Sequence, residues 1–146
     1  MNTSSPRESP LVQLNPKAFV GDPELLRMLE EHSVPAPCEA DNALFRQGDP
    51  PVGLYIFHRG MVTLSMISDN GQSLFAVQAL PGSLLGLPGL ISNQPYTLTA
   101  TARAGAQVTF MSRDTFTWLM LSRPQLSTMI LQVLAAEVQS ARRAIH

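Results

Sequence analysis

Three histidines, one cysteine and a sparse set of charges are the residues whose types could do chemistry in this chain. His32, His58 and His146 lie far apart, without the paired spacing that sets two ligands on one metal. His32 falls at a predicted helix end, where a cation suits the dipole. No second axial ligand accompanies His58 for a haem. Cys38 stands alone in a proline-flanked loop, so an intrachain disulfide and an iron–sulfur cluster are both excluded. No Walker-type phosphate loop and no Ser-His-Asp order is present. The expectation is a protein that is not an enzyme and holds no metal or cofactor.

The charges point the same way. Ten Lys+Arg face eleven Asp+Glu, for a net charge of −1. Lys17 is the one lysine, and Arg142-Arg143 is the only basic doublet, which reads as a solvated helix end. A nucleic-acid binder needs a basic stripe to displace counterions, so these residues are not expected to touch DNA on their own. Residues 1–10 show no signal-peptide pattern. The longest apolar runs, Leu84–Ile91 and Met129–Ala136, fall well short of the roughly 20 residues that span a bilayer. With the lone cysteine, this reads as a cytoplasmic, membrane-free chain. Apolar residues make up 45% and charged residues 14%, the balance of a packed globule.

The elements that would position a site follow from patterning. Residues 1–16 are polar and carry three prolines, Pro6, Pro10 and Pro16, the composition of a flexible arm. Asp22-Pro23-Glu24 has the form of a helix start, with Asp22 as cap and Pro23 at the first helical position. Leu25, Leu26 and Met28-Leu29 give that helix an apolar stripe. From about Ala43 to Ser112, short alternating segments are divided by Gly, Pro, Asn and Asp. Val62, Leu64 and Met66 alternate with polar neighbours, and Leu98, Ala100 and Ala102 alternate with threonines. Asn70-Gly71 between two such runs predicts a tight hairpin, because both residues tolerate positive φ. Many short strands at regular spacing predict a mainly β sandwich, barrel or jelly roll.

Helical spacing returns at the end. Phe116, Leu119 and Met120 share one helix face. Arg123-Pro124 opens a long helix in which Leu131, Leu134, Val138, Ala141 and Ile145 follow a 3-4-3-4 spacing over about two heptads. That spacing alone admits two readings: a helix packing on its own roll, or a homodimer seam.

The run Leu44-Phe45-Arg46-Gln47-Gly48-Asp49-Pro50-Pro51, followed by Leu54-Tyr55-Ile56-Phe57-His58-Arg59-Gly60-Met61-Val62, resembles the Crp/Fnr family. More broadly it resembles the cyclic-nucleotide-binding domain superfamily. Gly71, Gly82 and Gly86 fall where that roll places turn glycines. The resemblance covers roughly residues 22 to 146. It implies a double-stranded β-helix jelly roll with a short N-terminal helix and a long C-terminal dimerisation helix, and it favours the homodimer seam. The implied organisation is an arm (1–16), a β-roll sensor domain with flanking short helices (17–122), and the long helix (123–146). Family members usually continue into a helix-turn-helix domain. The chain ends at His146, which implies either a truncated regulator or a stand-alone sensor.

In nucleotide-binding members a phosphate cassette opens with Gly-Glu. It closes about ten residues later with Arg and a small residue. There, backbone N–H groups cradle the anion, a forked Arg neutralises it, and the Glu accepts from a ribose hydroxyl. The matching stretch here is Gly86-Leu87-Pro88-Gly89-Leu90-Ile91-Ser92-Asn93-Gln94-Pro95-Tyr96-Thr97. Gly86 and Pro95 keep the frame. Leu87 stands in the place of Glu, Tyr96 in the place of Arg, Thr97 keeps a hydroxyl, and Pro88 removes one backbone donor. Arg103 alternates outward with the threonines and offers no replacement. Losing these charged hydrogen bonds, at roughly 1.5–3 kcal/mol each, predicts weak or absent binding of cyclic AMP or GMP.

Two pocket readings stay open. In one, Leu87 and Tyr96 fill a vestigial site. In the other, Tyr96 and Thr97 orient a more apolar effector lined by Leu74, Ala76, Leu87 and Leu90, with Ala141 and Arg142 closing over it. The functional expectation is a regulatory small-molecule sensor resembling the effector half of Crp/Fnr transcription regulators. Its ligand would shift the population of hinge angles in the long helices. The alternatives are a dimerisation or protein-interaction module and a cupin-like metal enzyme.

Overall fold

The computed structural model describes residues 14–145, with side chains to Ser140. A 3-10 helix, Pro16–Phe19, is capped by the Asn15 side chain, which accepts from the Lys17 amide at 3.0 Å. Helix α1 spans Pro23–Glu30. Asp22 caps it as the sequence predicts, its Oδ1 accepting from the Glu24 amide at 2.8 Å. The strands are β1 (Val34–Pro35), β2 (Asn42–Phe45), β3 (Gly53–Arg59), β4 (Val62–Ile67), β5 (Ser73–Gln78), β6 (Leu84–Leu85), β7 (Thr99–Ala102) and β8 (Gln107–Ser112). Helix α2 (Leu87–Ser92) lies between β6 and β7, and α3 (Arg113–Ser122) and α4 (Pro124–Ile145) close the chain.

Two antiparallel four-stranded sheets, in the orders β1-β8-β3-β6 and β2-β7-β4-β5, face each other as the expected jelly roll. Phe45, Phe57, Val62, Leu64, Phe75, Leu85, Ala100 and Ala102 fill the space between them. A second core lies on the other side of β3. There Leu54, Ile56, Leu84 and Met111 meet Leu25 and Leu29 of α1, Leu87 and Leu90 of α2, Phe116 and Leu119 of α3, and Leu126, Ile130 and Val133 of α4. Because β3 is covered on both faces, its sequence Leu-Tyr-Ile-Phe is an unbroken apolar run rather than an alternation.

Two expectations change in detail. The tight β4–β5 hairpin forms, and of the two residues that tolerate positive φ only Gly71 adopts it, at φ 84°. The Gly71 amide donates to Ser68 and the Ser68 amide to Gln72, and the register shifts at Met66/Ile67. This is a three-residue loop closed by a glycine bulge, in which one left-handed residue suffices. The 3-10 helix also begins inside the predicted 1–16 arm. The Asn15 amide donates to Ser140 Oγ at 2.9 Å, tying that end of the segment to α4. Residues 1–13 of the arm lie outside the described residues.

Candidate functional site

The cassette stretch is built around the turn between β6 and α2. Gly86 sits at φ 93°, a conformation a Cβ opposes. A Cβ added there would also lie 2.8 Å from Tyr96 Cε1, so glycine admits the tyrosine ring. At the far end the Tyr96 amide donates to the Asp49 carbonyl at 2.9 Å, and the Tyr96 carbonyl accepts from the Gly48 amide at 2.8 Å. The Gly48-Asp49 turn therefore braces the end of the cassette.

Tyr96 is buried, its ring stacked on Phe45 with centroids 4.0 Å apart. Its hydroxyl accepts from the Val52 and Gly53 amides, both at 3.1 Å, and donates to the Gly53 carbonyl at 2.7 Å. Burial pushes the phenol above its ordinary range, against the lowering effect of the Gly53 and Val52 hydrogen bonds. The hydroxyl expected to orient a ligand is thus spent on the backbone at the start of β3.

Leu87 and Leu90 are buried, but in the helical core outside the roll, so neither lines the pocket. A helix places its residues around its axis, and α2 turns these two away from the roll. Ala76 is exposed because β5 alternates and Phe75 takes the inward position. Leu74 is partly buried against the roll core. Pro88 and Thr97 do line the cavity, Thr97 from an exposed position. The side chains of Ala141 and Arg142 lie outside the described residues.

The cavity bounded by Phe19, Phe45, Gly86, Pro88, Tyr96 and Thr97 has a volume of about 10 Å3. That is room for a single water, against roughly 300 Å3 or more for a small-molecule pocket. One wall lies outside the set of residues expected from the sequence: Glu137 of α4 faces the cavity, and its Oε2 is buried without a hydrogen-bond partner among the described residues. Desolvation raises its carboxyl to about 8. The signal was present in the sequence: Leu126, Ile130, Val133, Glu137 and Ser140 follow a 4-3-4-3 spacing, and Glu137 is the one acid on that face. These positions turn toward the domain, whereas the predicted seam residues Leu131 and Val138 point to solvent at 62% and 50% exposure. Leu134 is partly buried between the two faces.

Residues 35–123 match the family described as the cyclic nucleotide-binding domain. Over 118 residues the chain is 24% identical to a CRP-like cAMP-activated global transcriptional regulator of Mycobacterium tuberculosis, covering 81% of this chain and 53% of that protein. The chain therefore spans about half the length of the curated relatives it matches. Its fold superposes on the catabolite activator protein of Thermus thermophilus with a TM-score of 0.70 at 23% identity, over 88% of this chain and 61% of that one. It also superposes on a c-di-GMP-responsive global regulator of Xanthomonas campestris with a TM-score of 0.64 at 20% identity, over 84% and 62% of the two chains. With the jelly roll, the glycine-cornered cassette and the long C-terminal helix in place, the chain belongs to the cyclic nucleotide-binding domain family.

Proposed function

We propose that this chain is a non-enzymatic regulatory sensor module, working in the cytoplasm, whose roll has given up the cyclic-phosphate grip and transmits through a paired α4. The observation that carries the reading is Tyr96. By the sequence resemblance it stands where the family carries an arginine; it is stacked and hydrogen-bonded into the roll core and leaves about 10 Å3 of open space. Among the described residues no forked cation lines the cavity, and the acid on α4 opposes a phosphate. Isothermal titration with cyclic AMP, cyclic GMP and c-di-GMP tests this. Dissociation constants above about 100 μM are expected for all three, and a low-micromolar constant for any of them overturns the reading.

The output side rests on α4. Leu131, Leu134 and Val138 form an apolar line that joins a hollow of about 270 Å3 walled by Ile91, Met120, Leu131 and Leu134. A second copy of the same helix would cover it as an isologous pair; the side chains of Ala141 and Ile145, the rest of the expected seam, lie outside the described residues. A ligand that changes how α4 rests on the roll would then alter the angle between paired helices. No DNA contact is assigned to these residues. Among the described residues no helix is long and apolar enough to cross a membrane.

A further inference from the structure

We propose that the residual cavity of the roll is an amine site, in which Glu137 takes the protonated nitrogen of a small primary alkylammonium ligand at the place where nucleotide-binding family members take an anion. The inference rests on the reading above, that this cavity no longer accepts a cyclic phosphate, and names the ligand class that replaces it.

Three observations carry it. The first is position. Glu137 lies on the face of α4 that packs against the domain, following Leu126, Ile130 and Val133, where an apolar side chain would satisfy the fold. The second is unspent hydrogen-bonding capacity. Its Oε2 is removed from solvent and, among the described residues, has no partner, a condition that buried polar atoms rarely keep without a reason. The described surroundings supply none. Among the walls only Tyr96 titrates, and its hydroxyl is committed to Val52 and Gly53. The other walls, from the 3-10 helix, β2, β4, β6 and α2, are apolar side chains or glycine, with Thr97 beside Tyr96. Lys17 on the 3-10 helix is exposed, and the nearby Asn15 amide is taken by Ser140.

The third observation is size. About 10 Å3 admits one non-hydrogen atom. An ammonium nitrogen is close to a water in size and brings three donors and a full positive charge to an acceptor that lacks both. A phosphate is too large and of the wrong sign. Thr97, which is exposed, is one of the cavity's walls, and the alkyl portion is assigned to that side.

The protonation balance makes the site testable. A carboxyl near 8 is mostly neutral at pH 7. Binding an alkylammonium ion therefore converts the acid to its carboxylate and releases that proton to the buffer, while the ligand keeps its own.

Calorimetry on the whole chain in buffers of different ionisation enthalpy, with methylammonium and propylammonium chloride as probes, reads this directly. From the raised carboxyl, release of about 0.9 proton per amine is expected at pH 7 and about 0.2 at pH 8.5. Affinity should rise roughly fifty- to a hundredfold between pH 6 and 8.5. Tetramethylammonium and sodium chloride at equal ionic strength should do nothing. Glu137→Gln should lower amine affinity at least tenfold and abolish proton release, and Glu137→Leu, which suits the apolar face, serves if the amide variant misfolds. No saturable binding by either amine, binding without proton release, or equal binding by tetramethylammonium or by the variants overturns the amine site. A cyclic AMP arm separates the two readings. Tight cyclic AMP binding overturns the proposed function and this inference together, whereas silence of both ligands overturns the amine site alone.

Discussion

Removing one oxygen from Tyr96 separates a structural fastener from a ligand-orienting hydroxyl. Tyr96→Phe keeps the ring stacked on Phe45 but deletes the group that joins the end of the cassette to the start of β3. The Val52 amide belongs to an exposed residue and can turn to water. The Gly53 amide and carbonyl lie at a buried position, where an added Cβ would sit 2.4 Å from the Met111 carbonyl oxygen. Water has little room to replace the phenol there. Two buried backbone groups left without this partner cost about 1–3 kcal/mol each, so the substitution should remove about 2–6 kcal/mol of stability. For a domain of this size that is a fall of roughly 6–18 °C in melting temperature. Urea unfolding followed by circular dichroism, with the fluorescence of Trp118 as a second probe, gives the free energy and checks two-state behaviour. A variant within about 0.5 kcal/mol of wild type would refute the reasoning. The hydroxyl would then be no fastener, and the ligand-orienting role would be open again.

Three further outcomes are expected. Leu87→Ala should cost about 2–5 kcal/mol, because Leu87 is fully buried in the helical core; a loss under 1 kcal/mol in denaturant titration would place it outside that core. Burying the exposed parts of Leu131 and Val138 against a second copy is worth about 1.2 and 0.8 kcal/mol per protomer, about 4 kcal/mol per dimer. Leu131→Asp with Val138→Asp should therefore weaken self-association about a thousandfold or more in sedimentation equilibrium, and an unchanged dimer would rule out this seam. Glu137 has a folded-state value raised to about 8 above an unfolded value near 4.5. The stability this residue contributes is thus fully present below about pH 4.5 and is lost as pH rises through about 8. Between pH 6 and 8 the wild type should lose about 2 kcal/mol more than Glu137→Gln, and parallel urea midpoints across that range would show that the acid is not buried.

Much of the roll was legible because it is written in local signals. Asp22 caps its helix, Ala100 and Ala102 alternate inward, and Gly86 marks a left-handed corner. What local signals cannot say is which of two apolar layers a buried residue joins. Leu87 and Leu90 belong to the cassette in sequence, yet α2 carries them into the core shared with α1, α3 and α4. Ala76 was placed in the pocket although strict alternation with Phe75 turns it out. The α4 helix shows the same limit. The spacing that picks out Leu131 and Val138 has a companion one step away, through Ile130, Val133 and Glu137. Both faces obey the same 3-4 rule, so period alone cannot tell which one the domain covers.

That ambiguity bears on how the site works. In the proposed reading the cassette closes on a buried tyrosine, and the Tyr96 hydroxyl is tied to the Val52 and Gly53 backbone. Closure alone would make any apolar residue suitable at position 137. An acid there costs desolvation with, among the described residues, no hydrogen bond in return. The cost falls on the helix whose adjacent face carries the apolar line through Leu131 and Val138. Anything that relieves Glu137, whether a proton or a cationic nitrogen, changes the energy of seating α4 on the roll. Anything that changes how α4 is seated reorients the line a second copy would meet. In the proposed function, loss of the phosphate grip and a responsive helix are therefore compatible, because the lever would sit on α4 rather than in the cassette.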